Sequence, residues 1–316
     1  MKKLLLVLTA ICMTFAATAA EQTKKLRILM IGNSFSVCVA DDLHKIVKKT
    51  PDCKMLLTSA YIGGCTFNRH WQCIEKAEKD ANHKPYTIRI WDTDKKRATY
   101  RKDNVNNLLK EEWDIITIQQ GSSESWDFKF YEPAAGKLIA YIKKHVPKAE
   151  IVIQQTWAYR VDDGRLRRWK ISQTEMYEKV STAYRTLAEK YKFRVIPTGD
   201  AVQLYRKANK IQSTAPTAEQ DPKKLVHPAL PDFNNDIVGN SSWRKDKKTG
   251  QIRISSDPAH LNRNGRYMQA CVWFSALFGK DATTIQYEPK GIAKEKIMQM
   301  RKIAQEAVTT YKQVKK

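Results

Sequence analysis

Leu29-Met30-Ile31-Gly32-Asn33-Ser34-Phe35-Ser36 carries the reading on which the rest of the chain hangs. Residues 26–31 form an apolar run that suits a buried strand. Gly32 allows close packing or unusual backbone angles at the strand end. Ser34 then falls just past the carboxyl edge of a strand, where open parallel sheets place ligands. Short apolar runs at 54–61, 87–91, 115–119, 151–155 and 194–197 predict further strands. Amphipathic stretches at 39–49, 69–82, 100–111, 131–145 and 171–191 predict helices between them. Alternating elements of this kind predict an α/β fold whose central parallel sheet is covered on both faces through right-handed crossovers.

Two helices are expected to close the chain. Asn262 is placed to cap the first and Gly279 to stop it, and the second runs over about residues 294–312. The pattern lapses over about residues 208–256, which hold Pro216, Pro222, Pro228 and Pro231. Within that stretch, residues 238–254 with Lys248-Thr249-Gly250 read as a hairpin. Irregular segments this long are usually functional or mobile, so this one is assigned to the rim of a site. Residues 21–316 are read as a single domain.

Residues 1–20 have the make-up of a secretory leader: Lys2 and Lys3, an apolar core from Leu4 to Phe15, and small residues at 17–20. Cys12 does not suit lipidation, because Ile11 stands where a small residue is wanted. The expectation is an exported, periplasmic or secreted protein with no other membrane-spanning segment. Net charge is +23, or +21 without the two leader lysines. The excess is scattered and no nucleic-acid-binding module accompanies it, so no nucleic-acid partner is expected. Five cysteines remain beyond the leader: Cys38, Cys53, Cys65, Cys73 and Cys271. Cys65 and Cys73 are near enough in sequence to bridge. No pair has zinc-like spacing with histidine, so no metal and no cofactor are expected.

Asp257-Pro258-Ala259-His260, read as a loop before a helix, supplies a histidine with a carboxylate three residues upstream. Such a carboxylate fixes the imidazole tautomer and stabilises the imidazolium that forms when a serine proton is taken. Ser34 is the preferred nucleophile, with Ser36 as competitor. His227 lacks a carboxylate at suitable spacing, and His70 is assigned at most a pocket-lining part. Gly63-Gly64 ends the 54–61 strand, where a backbone N–H can approach an oxyanion. Gln119, Gln120, Ser122 and Ser123 end the 115–119 strand with polar groups that need partners, and each is a candidate side-chain donor.

The order Ser34, Gly64, a polar block after the 115–119 strand, and Asp257-x-x-His260 resembles the SGNH hydrolase superfamily, the GDSL-like esterases. The resemblance spans nearly all of the chain beyond the leader in element order. It implies a flavodoxin-like three-layer α/β/α fold, Ser34 as nucleophile, His260 as base and Asp257 as its orienter. It also implies an oxyanion hole from the N–H groups of Ser34 and Gly64. Two departures stand out: Asn33 replaces the usual aspartate, and Gly121-Ser122-Ser123 replaces the usual Gly-x-Asn block. Gln120 is the expected substitute donor; loss of one such donor costs on the order of 10²–10³ in rate elsewhere.

Aromatic residues near these loops suit a sugar face, and Trp126, Trp157, Tyr159 and Trp243 are the candidate substrate contacts. Arg160, with Arg165, is the candidate for an acidic group on the substrate. The expected activity is that of an exported carbohydrate esterase that removes O-acyl or O-acetyl groups from a small-molecule or glycan ester. The alternative is a non-catalytic glycan- or polyanion-binding protein on the same fold.

Overall fold

The computed structural model describes residues 25–95, 98–221 and 224–313; the leader expected at 1–20 lies outside them. Among these residues, seven strands form one sheet in the order β4-β3-β2-β1-β5-β6-β7. They are β1 (Lys25–Gly32), β2 (Lys54–Tyr61), β3 (Tyr86–Asp92), β4 (Thr99–Asp103), β5 (Ile115–Ile118), β6 (Glu150–Gln154) and β7 (Arg194–Ile196). Strands β2, β1, β5, β6 and β7 are parallel. Without the β3–β4 edge their order is that of a flavodoxin-like sheet, and the direction of winding reverses beside β1.

The helices are α1 (Ser34–Val37), α2 (Ala40–Lys49), α3 (Phe67–Lys79), α4 (Val105–Leu108), α5 (Ala134–His145), α6 (Gly164–Trp169), α7 (Gln173–Tyr191), α8 (Thr198–Ala208), α9 (Arg263–Phe278) and α10 (Lys294–Thr310). α9 packs against α2, α8 and α10, while α3 packs against α5. Covered on both faces, β1 and β5 hold Ile28, Leu29, Met30, Ile31, Ile116 and Ile118 at the centre of the core, which is why these strands read as unbroken apolar runs.

Three differences from the sequence expectation concern the sheet edge and the connections. β3 and β4 run antiparallel to their neighbours, so the sheet is mixed rather than purely parallel. The stretch at 100–111 begins as edge strand β4 and becomes helical only at Val105. Its first four residues, Thr99 to Lys102, are exposed, and an exposed edge strand has no apolar alternation to announce it. The short helices α1 and α6 and the longer α8 were not expected. The five cysteines among the described residues are all free, including Cys65 and Cys73.

The expected hairpin is present and longer than read: β8 (Val238–Lys245) pairs antiparallel with β9 (Ile252–Leu261). Its turn is held by the Asp246 carboxylate, which accepts from the Lys248 and Thr249 N–H groups at 2.8 and 2.9 Å. Asn262 caps α9, accepting from the N–H groups of Asn264 and Gly265, and left-handed Gly279 ends it, as its sequence position predicts.

The irregular segment after α8 is tied back by a buried ion pair. Arg206 on α8 reaches Asp236 through Nε at 2.9 Å and Nη2 at 2.8 Å, and donates to the carbonyls of Ala158 and Tyr159. The second Asp236 oxygen accepts from the Val238 N–H at the start of β8. Removing the arginine alone strands a buried carboxylate. Arg206→Met is therefore expected to lower unfolding free energy by about 3–5 kcal/mol, with part of it recovered on adding Asp236→Asn; urea denaturation of the three proteins checks this.

Candidate active site

β1 ends beneath a short turn of helix that presents Ser34. Asn33 caps that helix: its Oδ1 accepts from the Phe35 N–H at 2.9 Å and from Gln119 Nε2 at 2.7 Å. Its Nδ2 donates to the Cys65 carbonyl at 2.9 Å. One amide thus joins the loops that follow β1, β2 and β5. Ser36, the competing serine, is buried and donates to the Asn33 carbonyl at 3.0 Å. It packs against Gly32, where a side chain would collide with its hydroxyl.

Ser34 Oγ lies 2.8 Å from His260 Nε2. On the other side of the ring, Nδ1 lies 2.9 and 3.2 Å from the two Asp257 oxygens. Asp257 Oδ1 also accepts from the N–H groups of Ala259 and His260 at 3.1 and 3.2 Å. Partial burial works against ionisation of this carboxyl. The two N–H donors and the neighbouring imidazole outweigh it and hold the group below the ordinary aspartate range.

Asp257 and His260 lie on the end of β9 rather than in a loop. Register fixes their meeting: Asn240 faces Asp257 but Val238 faces Leu261, so residues 258–260 bulge opposite Gly239. Gly239 has φ +84°, and a side chain there would meet the Asp257 carbonyl and the Arg160 guanidinium. Bulges beside active sites re-aim side chains, and a bulge also tolerates Pro258 within a strand.

Two backbone N–H groups bear on the expected oxyanion hole. Neither the Ser34 nor the Gly64 N–H has an acceptor among the described residues. Gly64 sits at φ +60°, and nothing lies within 4 Å of where its side chain would begin. The left-handed backbone and the open space both favour glycine, and an unpaired N–H in such a space is suited to a developing alkoxide.

Other sequence candidates have different work. Gln120 is fully buried: its Oε1 accepts from the N–H groups of Phe67 and Gly121, and its Nε2 donates to the Phe130 carbonyl. It braces two loops, so its assignment as the oxyanion donor is corrected. Gln119 is committed to Asn33. Ser122 Oγ accepts from the Tyr159 hydroxyl at 2.9 Å, and exposed Ser123 accepts through its carbonyl from Trp126 Nε1.

Trp157, Tyr159 and Arg160 are each 0 % exposed, which removes them as substrate contacts. Trp157 stacks on Phe35 at 4.2 Å and donates to the Ala259 carbonyl at 2.9 Å, joining the serine turn to the histidine strand. Arg160 grips Asp162 through Nε and Nη2, and donates to Ser241, Ser256 and Asn234. It thereby fastens the β8–β9 hairpin. Arg165 forms a two-pronged pair with Asp163 and lies 3.8 Å over the Tyr159 ring. Trp126 is half-buried against Trp169, and Trp243 is half-buried against exposed His227. His70 is buried with Nδ1 2.9 Å from the Tyr86 hydroxyl.

Two positioning residues escaped the sequence reading. Gln154, at the end of β6, and Gln269, on α9, both donate to the Phe35 carbonyl, at 2.8 and 2.9 Å. The signal was present, since Gln154-Gln155 ends a buried strand as Gln119-Gln120 does.

The fold and this constellation define a three-layer α/β protein with a serine, a histidine and an aspartate in hydrogen-bonded series at the carboxyl edge of its sheet. Residues 27–215 match the model of the family DUF4886, a domain of unknown function, and the chain belongs to that family. A DUF4886 family protein from Bacteroides uniformis ATCC 8492 is similar at 25 % identity and a TM-score of 0.71, over 91 % of this chain and 96 % of that one. An acetyl xylan esterase, AlAXEase, is similar at 13 % identity and a TM-score of 0.47, over 80 % of this chain and 100 % of that one. A member of the lipolytic protein G-D-S-L family from Veillonella parvula DSM 2008 is similar at 12 % identity and a TM-score of 0.42, over 80 % and 98 %. No curated protein sequence matches. No helix among the described residues is long and apolar enough to cross a membrane.

Asn33→Asp tests why an amide stands here. A carboxylate keeps the two acceptor contacts but faces the Cys65 carbonyl with an oxygen instead of a donor. Loss of about 1–3 kcal/mol in stability is expected, visible as a lowered urea midpoint. His70 gives a pH test. Burial, and secondarily Arg69, push its pKa down to about 3. The neutral form is thus favoured in the fold, and its contribution is complete above about 6.5 and lost as pH falls toward 3. Between pH 6 and 4 the parent should lose stability more steeply than His70→Gln, by up to about 1.4 kcal/mol per pH unit.

Proposed function

We propose that this protein is an exported serine ester hydrolase acting by an acyl-enzyme mechanism on O-acylated, especially O-acetylated, carbohydrate. The observation that carries the reading is the unbroken line Ser34 Oγ–His260–Asp257, with contacts of 2.8 and 2.9 Å, beside two N–H groups without acceptors. Ser34 attacks the ester carbonyl while His260 Nε2 takes its proton. Asp257 holds Nδ1–H and stabilises the imidazolium. The N–H groups of Ser34 and Gly64 receive the oxyanion. His260 then returns the proton to the departing alcohol. In the second half it activates water, which releases the acid and restores the Ser34 hydroxyl.

Export is supported by the composition of residues 1–20. Carbohydrate is supported by the polar lining beside the serine, with Asn240, Ser242, Ser255 and Asn264 offering donors and acceptors for sugar hydroxyls. A non-catalytic glycan binder is the second reading. It is favoured by the loss of the asparagine donor and by the commitment of Gln120 to loop carbonyls and amides.

Hydrolysis of p-nitrophenyl acetate by the chain beyond residue 20 separates them. The parent is expected to turn over ester, and Ser34→Ala and His260→Ala, with unchanged circular dichroism, to lose on the order of 10³–10⁶ in kcat. Turnover that persists in Ser34→Ala overturns the mechanism. A parent inactive on this ester and on acetylated xylan, yet binding xylan, supports the second reading.

A further inference from the structure

A cleft of about 700 Å³ opens beside the triad, and four arginines outnumber two carboxylates in its lining. Ser34, His260, Arg89, Arg244, Arg263 and Arg266 are among the residues that line it. Arg263 is neutralised, with Nη1 2.6 Å from the buried Asp42 carboxylate. The other three have no ion-pair partner among the described residues. Arg89, on β3, is held between the rings of Tyr61 and Tyr100 at 5.0 and 5.8 Å, and its Nε is buried with no hydrogen-bond partner. Arg244, on β8, and Arg266, on α9, are exposed, with only long contacts to Ser242 and to the Asn262 carbonyl. Of the two carboxylates in the cleft, Asp257 is engaged by His260 and Asp41 accepts from Trp91 Nε1.

Such an arrangement is unfavourable by itself. Arg263 and Arg266 stand in the first turn of α9, which has no acidic residue there, and cations are disfavoured at the positive end of a helix. Three unpaired guanidinium groups around one cleft repel one another, and a buried unpartnered Nε adds its own desolvation cost. An anion in the cleft offsets the mutual repulsion and the unfavourable placement at the helix end. The site of that anion follows from the reaction. His260 hands its proton to the departing alcohol, so the alcohol lies on the Nε2 side, in the cleft that His260 shares with these arginines.

Resting on the esterase reading above, we propose that the substrate is an ester of an acidic sugar. The alcohol part carries a carboxylate, sulfate or phosphate, and Arg89, Arg244 and Arg266 hold it. This takes the place of the recognition first assigned to Arg160 and Arg165, both of which are already paired with aspartates.

The test uses four acetyl esters of one hydroxyl: of glucose, glucuronic acid, glucose 6-sulfate and glucose 6-phosphate. At low salt, kcat/KM for at least one anionic ester should exceed that for the glucose ester about tenfold or more, as expected for charge-assisted contacts. The preferred ester identifies the anion. That preference should sit in KM and shrink toward unity in about 0.5 M salt. It should do the same in Arg244→Gln/Arg266→Gln, with Arg244→Lys/Arg266→Lys retaining part of it. Equal kcat/KM for all four esters in the parent overturns the proposal while leaving the esterase standing. If none is turned over, calorimetry of Ser34→Ala with glucuronate, glucose 6-sulfate and glucose 6-phosphate decides the anion site alone. Binding that vanishes in the glutamine double variant sustains the site without the esterase, and absence of binding overturns it.

Discussion

The amide of Asn33 is the constraint on which the site depends. Three chain segments that leave the sheet after β1, β2 and β5 meet at this side chain, each through a separate hydrogen bond. Only a group with both a donor and an acceptor can serve all three, because Phe35 N–H and Gln119 Nε2 need an acceptor and the Cys65 carbonyl needs a donor. The exchange of aspartate for asparagine at this position relative to the resembled pattern is therefore tied to the loop after β2. Gly64 stands immediately before the residue whose carbonyl the amide holds. That bond ties the serine turn to the loop that carries Gly64, without a charged group being buried to achieve it.

The second half of the site is built on a different principle. His260 is far from Ser34 in sequence and arrives on a hairpin outside the main sheet. Such a hairpin has little apolar surface with which to fix itself, and β9 is largely exposed before Ala259. Its position is instead determined by buried polar contacts. Arg160 reaches both strands through Ser241 and Ser256, the Arg160 N–H donates to the Pro258 carbonyl, and Trp157 holds the Ala259 carbonyl. The 157–160 segment, once read as a substrate platform, is the hinge pin between β6 and the hairpin. Because Trp157 also stacks on Phe35, displacement of either half of the triad is resisted through one aromatic contact.

This explains what could be read from the sequence and what could not. The central strands were legible because burial on both faces leaves a continuous apolar signature, and Asp257-x-x-His260 because its chemistry is local. β4 escaped because exposed edge strands carry no such signature. Gln120, Trp157, Tyr159 and Arg160 were misread for a common reason. Polar and aromatic residues that follow a buried strand point equally well toward a ligand or toward the next loop, and spacing along the chain does not distinguish the two. Burial does: each of these four side chains is closed off from solvent by the loops it joins. Gln154 and Gln269 belong to the same set, converging on one carbonyl from elements 115 residues apart in sequence.

The distribution of arginines follows the same division between holding and receiving. Arg160, Arg165, Arg206 and Arg263 each face a carboxylate at hydrogen-bond distance, and a planar fork that is already satisfied has little to give a ligand. Among the described residues, Arg89, Arg244 and Arg266 lack that partner, and they line the cleft that contains Ser34, His260 and Asp257. A net charge of +23 spread over the surface would attract anions weakly and everywhere. Unpaired guanidinium groups gathered at the cleft beside Ser34 and His260 do something different. On the proposed reading, an anion in that cleft relieves their mutual repulsion, and the charge of the chain acts there as a selective property rather than only a solubility one.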